Sequence, residues 1–271
     1  MLLPAGEGPV GVRWLGTAGF AIENEGHVLL LDPYLTRASL WDCVSAPLRP
    51  DEALLEQHLP RADAIVLGHT HFDHALDAPS IARRTGARVF GSPSAAALCR
   101  AHGVPEAQLC EPRETEIGPF KLRFFASAHS KFLLGRVPFP GEIADCDQIP
   151  LRVERYRCGA VFGVEIEVAG RKIFHLGSAE LVEKSLPTRE VDLLLLCVAG
   201  WQSSKDLPER AARAFSPKTV LLSHWDDFLR PLSKPARALP AMQLPRLHER
   251  LGKATRDARI GTLPLLGELR L

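Results

Sequence analysis

The stretch LGHTHFDHALDAP, residues 67–79, follows the apolar run Ala64-Ile65-Val66-Leu67 and sets three of the chain's ten histidines and two aspartates within nine positions. No other segment limits the possible folds as strongly. A short apolar run bounded by turn signals reads as a buried strand, so the cluster lies at a strand end, where loops carry binding and catalytic side chains. On extended backbone His69 and His71 project to the same side, because side chains alternate with a period of two. Two imidazoles then converge on one point, as a tetrahedral zinc ion requires of nitrogen donors at about 2.0 Å. Asp73 and His74 follow where the chain turns, and they aim an oxygen and a further nitrogen at a second, nearby point. The spacing fits two adjacent metal positions better than one. Helix capping by Asp73 or Thr70 would occupy one polar residue and leave three imidazoles without a task.

The surrounding pattern mixes strands and helices. From Val10 to Leu31 the chain reads as a three-strand meander, VGVRWLG, AGFAIE and HVLLL, with a turn at Asn24-Glu25-Gly26. A helix over Asp51 to His58 precedes the buried strand, and a helix near Pro79 to Thr85, a strand Arg88 to Phe90 and a helix Ser94 to His102 follow the cluster. Lys121 to Ala126 reads as a strand running into SAHSKF. Val161 to Val168 and Arg171 to His175 form a hairpin around Ala169-Gly170. Asp192 to Val198 and Thr219 to Ser223 are apolar strands separated by a helix from Pro208 to Phe215. A helix near Leu244 to Leu251 and a terminal strand from Arg259 to Leu263 end the series. Meander strands followed by strands alternating with helices describe an α/β chain of layered sheets covered by helices. No repeat or composition break divides it, so residues 1–271 are expected to form one domain.

Bulk composition narrows the function. Thirty-three basic against 32 acidic residues give a net charge of +1, which provides no field for a polyanion, so nucleic acid is not an expected partner. The amino-terminal MLLPAGEGPVGVRW lacks a secretory pattern, and no run approaches the roughly 20 apolar residues of a membrane span. A cytoplasmic location with a small-molecule substrate is expected, with the oligomeric state left open. Six cysteines without C-x-x-C spacing read as reduced thiols; Cys146 and Cys158, flanking a proline-containing loop, are the pair to examine.

HTHFDH resembles the H-x-H-x-D-H signature of the metallo-β-lactamase fold superfamily. Further elements of that pattern occur in order: Asp32 in LLLDPYL, His129 in ASAHS and His224 in LLSHWDDF, each after a strand-like run. The resemblance covers Val10 to Arg230 and implies a four-layer αββα sandwich with the site at one edge between the sheets. It further implies one zinc held by His69, His71 and His129, and another by Asp73, His74 and His224. Manganese or iron stays open as the metal. Asp32 would orient a ligand histidine by accepting its free N–H.

One departure stands out. Where the family pattern has Gly-Asp, with the aspartate bridging both metals, KIFHLGSAELVE has Gly177 followed by Ser178. A hydroxyl cannot replace a carboxylate spanning two cations. Either one ion is held tightly, or a water or hydroxide bridges a pair, or a nearby carboxylate fills the gap, with Glu180, Asp226 and Asp227 as candidates. His175, two residues before Gly177, could also reach the rim, with an outward-facing strand histidine as the default. The resemblance implies hydrolysis by a metal-bound hydroxide of a small ester, lactone or phosphoester, with Asp73 orienting the water and carrying its proton. VRWLGTAGFAIE, LLLDPYL and SPKTVLLSHWDDF are most similar to the group that includes the L-ascorbate-6-phosphate lactonase and N-acylphosphatidylethanolamine phospholipase D types. The alternative is a catalytically degenerate metal-binding scaffold that binds a ligand or partner protein. Residues 131–160 are a candidate substrate lid, with Phe132, Leu133, Leu134, Phe139 and Tyr156 as apolar lining and Arg136 or Arg152 facing an anionic group; Trp201 is a further rim candidate.

Overall fold

A computed structural model describes residues 2–132, 135–144, 149–186, 190–240 and 242–271. Two seven-stranded mixed sheets lie face to face. The first contains β1 (Gly11–Gly16), β2 (Gly19–Asn24), β3 (His27–Leu31), β4 (Ala64–Val66), β5 (Arg88–Phe90) and β6 (Leu109–Cys110) in chain order. The second contains β7 (Thr115–Ile117), β8 (Phe120–Ser127), β9 (Val161–Val168), β10 (Arg171–Leu176), β11 (Leu193–Cys197), β12 (Thr219–Ser223) and β13 (Arg259–Gly261), again in sequential order. A last strand, β14 (Glu268–Arg270), returns to the first sheet and pairs antiparallel with β1.

Side-chain alternation builds the layers. In β11 Leu193 and Leu195 point into the space between the sheets, while Leu194 and Leu196 point outward. A strand covered on both faces needs a continuous apolar run, and DLLLLCV provides it. Leu29 and Leu31 of β3 likewise face the inter-sheet core and Leu30 the opposite side. Outside the first sheet pack α2 (Glu52–His58), α4 (Ala78–Thr85) and α5 (Pro93–Ala101), through Leu55, Ile81 and Leu98. Outside the second pack α6 (Leu207–Phe215) and α7 (Leu244–Ala254), through Ala211, Phe215, Leu247 and Leu251. This is the expected αββα order. Two short helices, α1 (Leu40–Ser45) and α3 (Phe72–Ala75), lie on connections near the site. Among the described residues no helix is long and apolar enough to cross a membrane.

The boundaries differ from the sequence expectation where caps decide them. Ser92 accepts from the Ala95 N–H and starts α5 at Pro93, and Asp51 caps α2 in the same way. The terminal strand stops at Gly261, and the apolar Leu263 turns toward the inter-sheet core instead of prolonging it. Helix α1 and strands β6, β7 and β14 were not expected, being at most six residues long and lacking a full period of apolar pattern. Of the cysteine pair considered above, Cys158 is a buried free thiol, and Cys146 lies outside the described residues, as do Leu133 and Leu134.

Phe174 anchors the outer core of the second sheet, with its ring 4.3 Å from that of Phe215 on α6. Phe174→Ala should lower unfolding free energy by about 3–5 kcal/mol, measured by urea denaturation followed by circular dichroism.

Candidate metal centre

Strands β3 and β4 run parallel, as do β10, β11 and β12, and their carboxyl ends meet at one edge of the sandwich. Loops leaving that edge carry Asp32 from β3, residues 68–74 from β4, His129 from β8, Gly177 and Ser178 from β10, and His224 from β12. Side chains distant in sequence are thereby gathered at the usual ligand-binding edge of an open α/β sheet.

His71 has extended backbone (φ −62°, ψ 153°) and stands immediately before α3, so Asp73 and His74 occupy that helix's first turn. The change from strand-like to helical backbone divides the donors between two points. The donor atoms of His69, His71 and His129 all lie within 4.8 Å of one another, and so do those of Asp73, His74 and His224. His69 Nε2 is 3.1 Å from His71 Nδ1, and His224 Nε2 is 3.1 Å from Asp73 Oδ2. Both separations are close to the ligand-to-ligand edge of a tetrahedral zinc site, about 3.3 Å for bonds of roughly 2.0 Å.

Outer partners set the direction of the lone pairs. His71 Nε2 donates to the Pro138 carbonyl at 2.8 Å and His129 Nδ1 donates to the Ser130 carbonyl at 2.6 Å. These bonds leave His71 Nδ1 and His129 Nε2 as acceptors facing the centre. Burial pushes the His69 pKa well below its usual value, reinforced by the neighbouring imidazoles, and it brings His129 down to about 4. Neutral rings keep the lone pairs a cation needs. In the other trio, burial opposes charge on His74, but Asp32 and Asp73 more than offset it and raise its pKa. Burial also acts to raise the Asp73 pKa, yet His74 and His224 together hold it well below the carboxylate range.

Asp32 is fully buried with φ +41°. Its Oδ1 accepts from the Gly68 N–H at 2.7 Å; its Oδ2 accepts from His175 Nε2 at 2.8 Å and lies 3.2 Å from His74 Nδ1. Against its burial, His74 and His175 bring its pKa down to about 2. Glycine is required at 177, because a Cβ there would lie 2.5 Å from Asp32 Oδ2. His175 is completely buried and turned inward, contrary to the outward orientation expected of it. Its only sequence signal is its position two residues before Gly177, on a strand that ends at the site.

The carboxylates considered as substitutes for a bridging aspartate are engaged elsewhere. Glu180 pairs with Arg210 at 2.8 Å, and Asp226 pairs with Arg37 at 2.6 Å. Asp227 offers its backbone carbonyl to Arg37 and its carboxylate to the Leu229 N–H. Ser178 Oγ accepts from the Ser130 N–H at 3.0 Å, bracing the residue next to His129.

The rim candidates divide. Phe132 is 57% and Phe139 38% exposed, and the Phe139 ring stands edge-on to His71 at 6.5 Å. Arg136 is exposed and its carbonyl accepts from the Phe132 N–H. Arg152 turns instead to the Val44 carbonyl at the end of α1. Tyr156 and Trp201 are each 1% exposed. Tyr156 packs with the core under the first sheet, while Trp201 packs between β11 and the outer helices and donates to the Met242 carbonyl. Neither is a rim residue, because large rings with apolar neighbours are drawn into the core. The excursion is tied to the body at Thr70, whose hydroxyl donates to the carbonyls of Arg157 and Cys158, and at Ser94, which bonds Glu142 and accepts from the Ile143 N–H.

Comparison with known proteins gives a consistent result. The family model described as Beta-lactamase superfamily domain matches residues 27–225. A metal-dependent hydrolase of Anaeromyxobacter sp. (strain K) is 30% identical over 233 residues, covering 83% of this chain and 77% of that protein. Among solved structures, an isothiocyanate hydrolase from Delia radicum gut bacteria superposes with a TM-score of 0.60 at 17% identity, covering 96% of this chain and 99% of the other. A metallo-beta-lactamase fold protein from Bacillus subtilis gives 0.56 at 14% identity, covering 96% and 98%. At these identities the structural likeness concerns the fold.

Beneath the centre, Asp77 is buried and accepts from the N–H groups of Leu35 and Thr36 and from the Thr36 hydroxyl. Burial pushes its pKa up to about 6 from 3.8, against those three donors. Between these values the folded chain holds a proton that the unfolded chain has released, so this group's contribution to stability falls as pH rises through that window. Asp77→Asn should abolish that slope. The unfolding free energy of the variant minus that of the parent is expected to rise between pH 4 and pH 6 and to level off above, measured by urea denaturation at each pH.

Proposed function

The chain belongs to the β-lactamase superfamily, and on that footing we propose that it is a zinc-dependent hydrolase of a small ester, lactone or phosphoester. The observation that carries this reading is the pair of buried donor trios at one sandwich edge. Five imidazoles and one carboxylate form a nitrogen-rich set that suits zinc better than calcium or magnesium, which prefer oxygen. His69, His71 and His129 would hold one ion, and Asp73, His74 and His224 a second. Bound there, zinc would supply Lewis acidity, which lowers the pKa of water toward 7 and stabilises negative charge developing on a substrate oxygen.

The protein's own groups supply the rest. Asp73 stays ionised beside His74 and His224, so it can orient the attacking water through Oδ1 and carry its proton to the leaving group. Asp32 keeps His74 in the Nδ1–H tautomer, with Nε2 left as a ligand, and His175 keeps Asp32 in place. Ser178 provides no carboxylate, and its hydroxyl oxygen is engaged with the Ser130 N–H. The two trios therefore carry a single carboxylate charge, and the second ion is held less tightly than it would be with a bridging aspartate. Phe132, Phe139 and Arg136 form the exposed rim toward the substrate.

Purified protein should contain one or two zinc ions per chain by elemental analysis. Asp73→Asn should reduce kcat for a chromogenic ester or phosphodiester by about 10²- to 10⁴-fold, and His71→Ala should abolish turnover together with part of the metal content. Activity retained after complete chelation would overturn the reading. Stoichiometric zinc without turnover on ester, thioester, lactone and phosphodiester panels would instead make the chain a metal-binding scaffold.

A further inference from the structure

His224 differs from His71, His129 and His74 in what holds it. His71 and His129 each donate to a carbonyl from the nitrogen that faces away from the centre, and His74 Nδ1 stands 3.2 Å from Asp32 Oδ2, whereas His224 Nδ1, like His69 Nδ1, is buried with no hydrogen-bond partner and no carboxylate beside it among the described residues. Its ring packs edge-on against Phe228 at 5.3 Å, and its direction depends on a backbone that lies in the left-handed region at φ +56°. A non-glycine residue stays there only when its surroundings hold it.

Those surroundings are a clamp built on Arg37. The guanidinium is 96% buried by residue exposure of 4%, and its Nη2 donates to Asp226 Oδ2 at 2.6 Å and to the Asp227 carbonyl at 2.7 Å, while Nε donates to the Arg230 carbonyl at 2.6 Å. Asp226 Oδ1 accepts from the Thr17 N–H at 3.0 Å, and the Thr17 carbonyl accepts from the His224 N–H at 2.7 Å. Thr17 and Arg37 themselves have φ of +51° and +49°. Three left-handed residues are thus locked by one closed set of bonds around His224. The third guanidinium nitrogen, Nη1, is wedged against Gly16, where a Cβ would lie 2.3 Å away. That contact accounts for glycine at position 16 of WLGTAG. Three acceptors in fixed directions suit the planar fork of arginine and not a lysine point charge.

We propose that Arg37 is a positioning residue that acts through Asp226 and Thr17 to aim His224, and so sets how tightly the Asp73, His74 and His224 trio holds its ion. This rests on the two-position reading given above. Arg37 is five residues beyond Asp32 on the connection leaving β3, and that connection is itself fixed by Asp77. One short segment thereby positions both histidines of the second trio, His74 through Asp32 and His224 through Arg37.

Cobalt(II) added to metal-free protein reports the two positions through visible absorption, with His224→Ala identifying which band belongs to the second. The test variants are Arg37→Lys and the charge-balanced Arg37→Met/Asp226→Asn, which leaves no unpaired buried charge. The first equivalent should bind within about threefold of the parent, and the second about 10- to 100-fold more weakly in the double variant. Arg37→Lys should fall between. Thermal melting by circular dichroism checks folding; if the double variant does not fold, Arg37→Lys is judged by the same criteria. Two equivalents bound at parental affinity would overturn the proposal, and so would parallel weakening of both, which marks general loosening. A parent that binds fewer than two equivalents would overturn the two-position reading and the proposal with it, a failure visible without any variant.

Discussion

A carboxylate removed from water must be surrounded by donors or it will not remain charged, and Asp32 is the point where this structure meets that requirement. Its donors are the Gly68 N–H and His175, with the His74 ring alongside. They come from the loop after β4, from β10 and from α3, so satisfying one buried charge ties the two sheets and the α3 turn together. The sheets could pack through their leucines alone. This contact holds the ends of β3, β4 and β10 together at the site.

The arrangement also explains why the edge tolerates so many buried polar groups. Asp32 and Asp73 face imidazoles, and the imidazoles of the two trios face a carboxylate, a carbonyl or another ring. Asp226 repeats the scheme with an arginine and a backbone N–H. Asp77, beneath the centre, has neutral donors only, and burial raises its pKa accordingly. Ser178 fits the same logic with a neutral partner, since its hydroxyl oxygen takes a backbone N–H and adds no charge for the surroundings to balance.

Much of this was legible in the chain because it is local. HTHFDH carries its strand, its turn and its donors within a dozen residues, and Asp32, His129 and His224 each follow an apolar run that marks a strand end. The same runs marked layered sheets covered by helices, and the αββα order came from the family resemblance that HTHFDH carries. What was not legible depends on distant contacts. His175 carries no local mark separating an inward ring from an outward one, and its partner is 143 residues away. Arg37 and Asp226 are 189 residues apart, and either could have been an ordinary surface charge. Tyr156 was a lining candidate as part of the 131–160 excursion and Trp201 a rim candidate as the ring following the strand that ends at Val198, but neighbouring helices and loops bury both. Strand β14 was missed since a three-residue strand is defined by its partner, not by its own pattern.

Pro138 adds a different kind of consequence. The atom that steadies His71 is a main-chain oxygen, and every amino acid has one. On the proposed reading, chemistry and selectivity are separated in this stretch: the backbone at Pro138 must keep its course so that the imidazole stays aligned, whereas the side chains displayed beside it can be exchanged without disturbing that alignment. A protein designer could vary Phe132, Arg136 or Phe139 and leave the two donor trios unaltered.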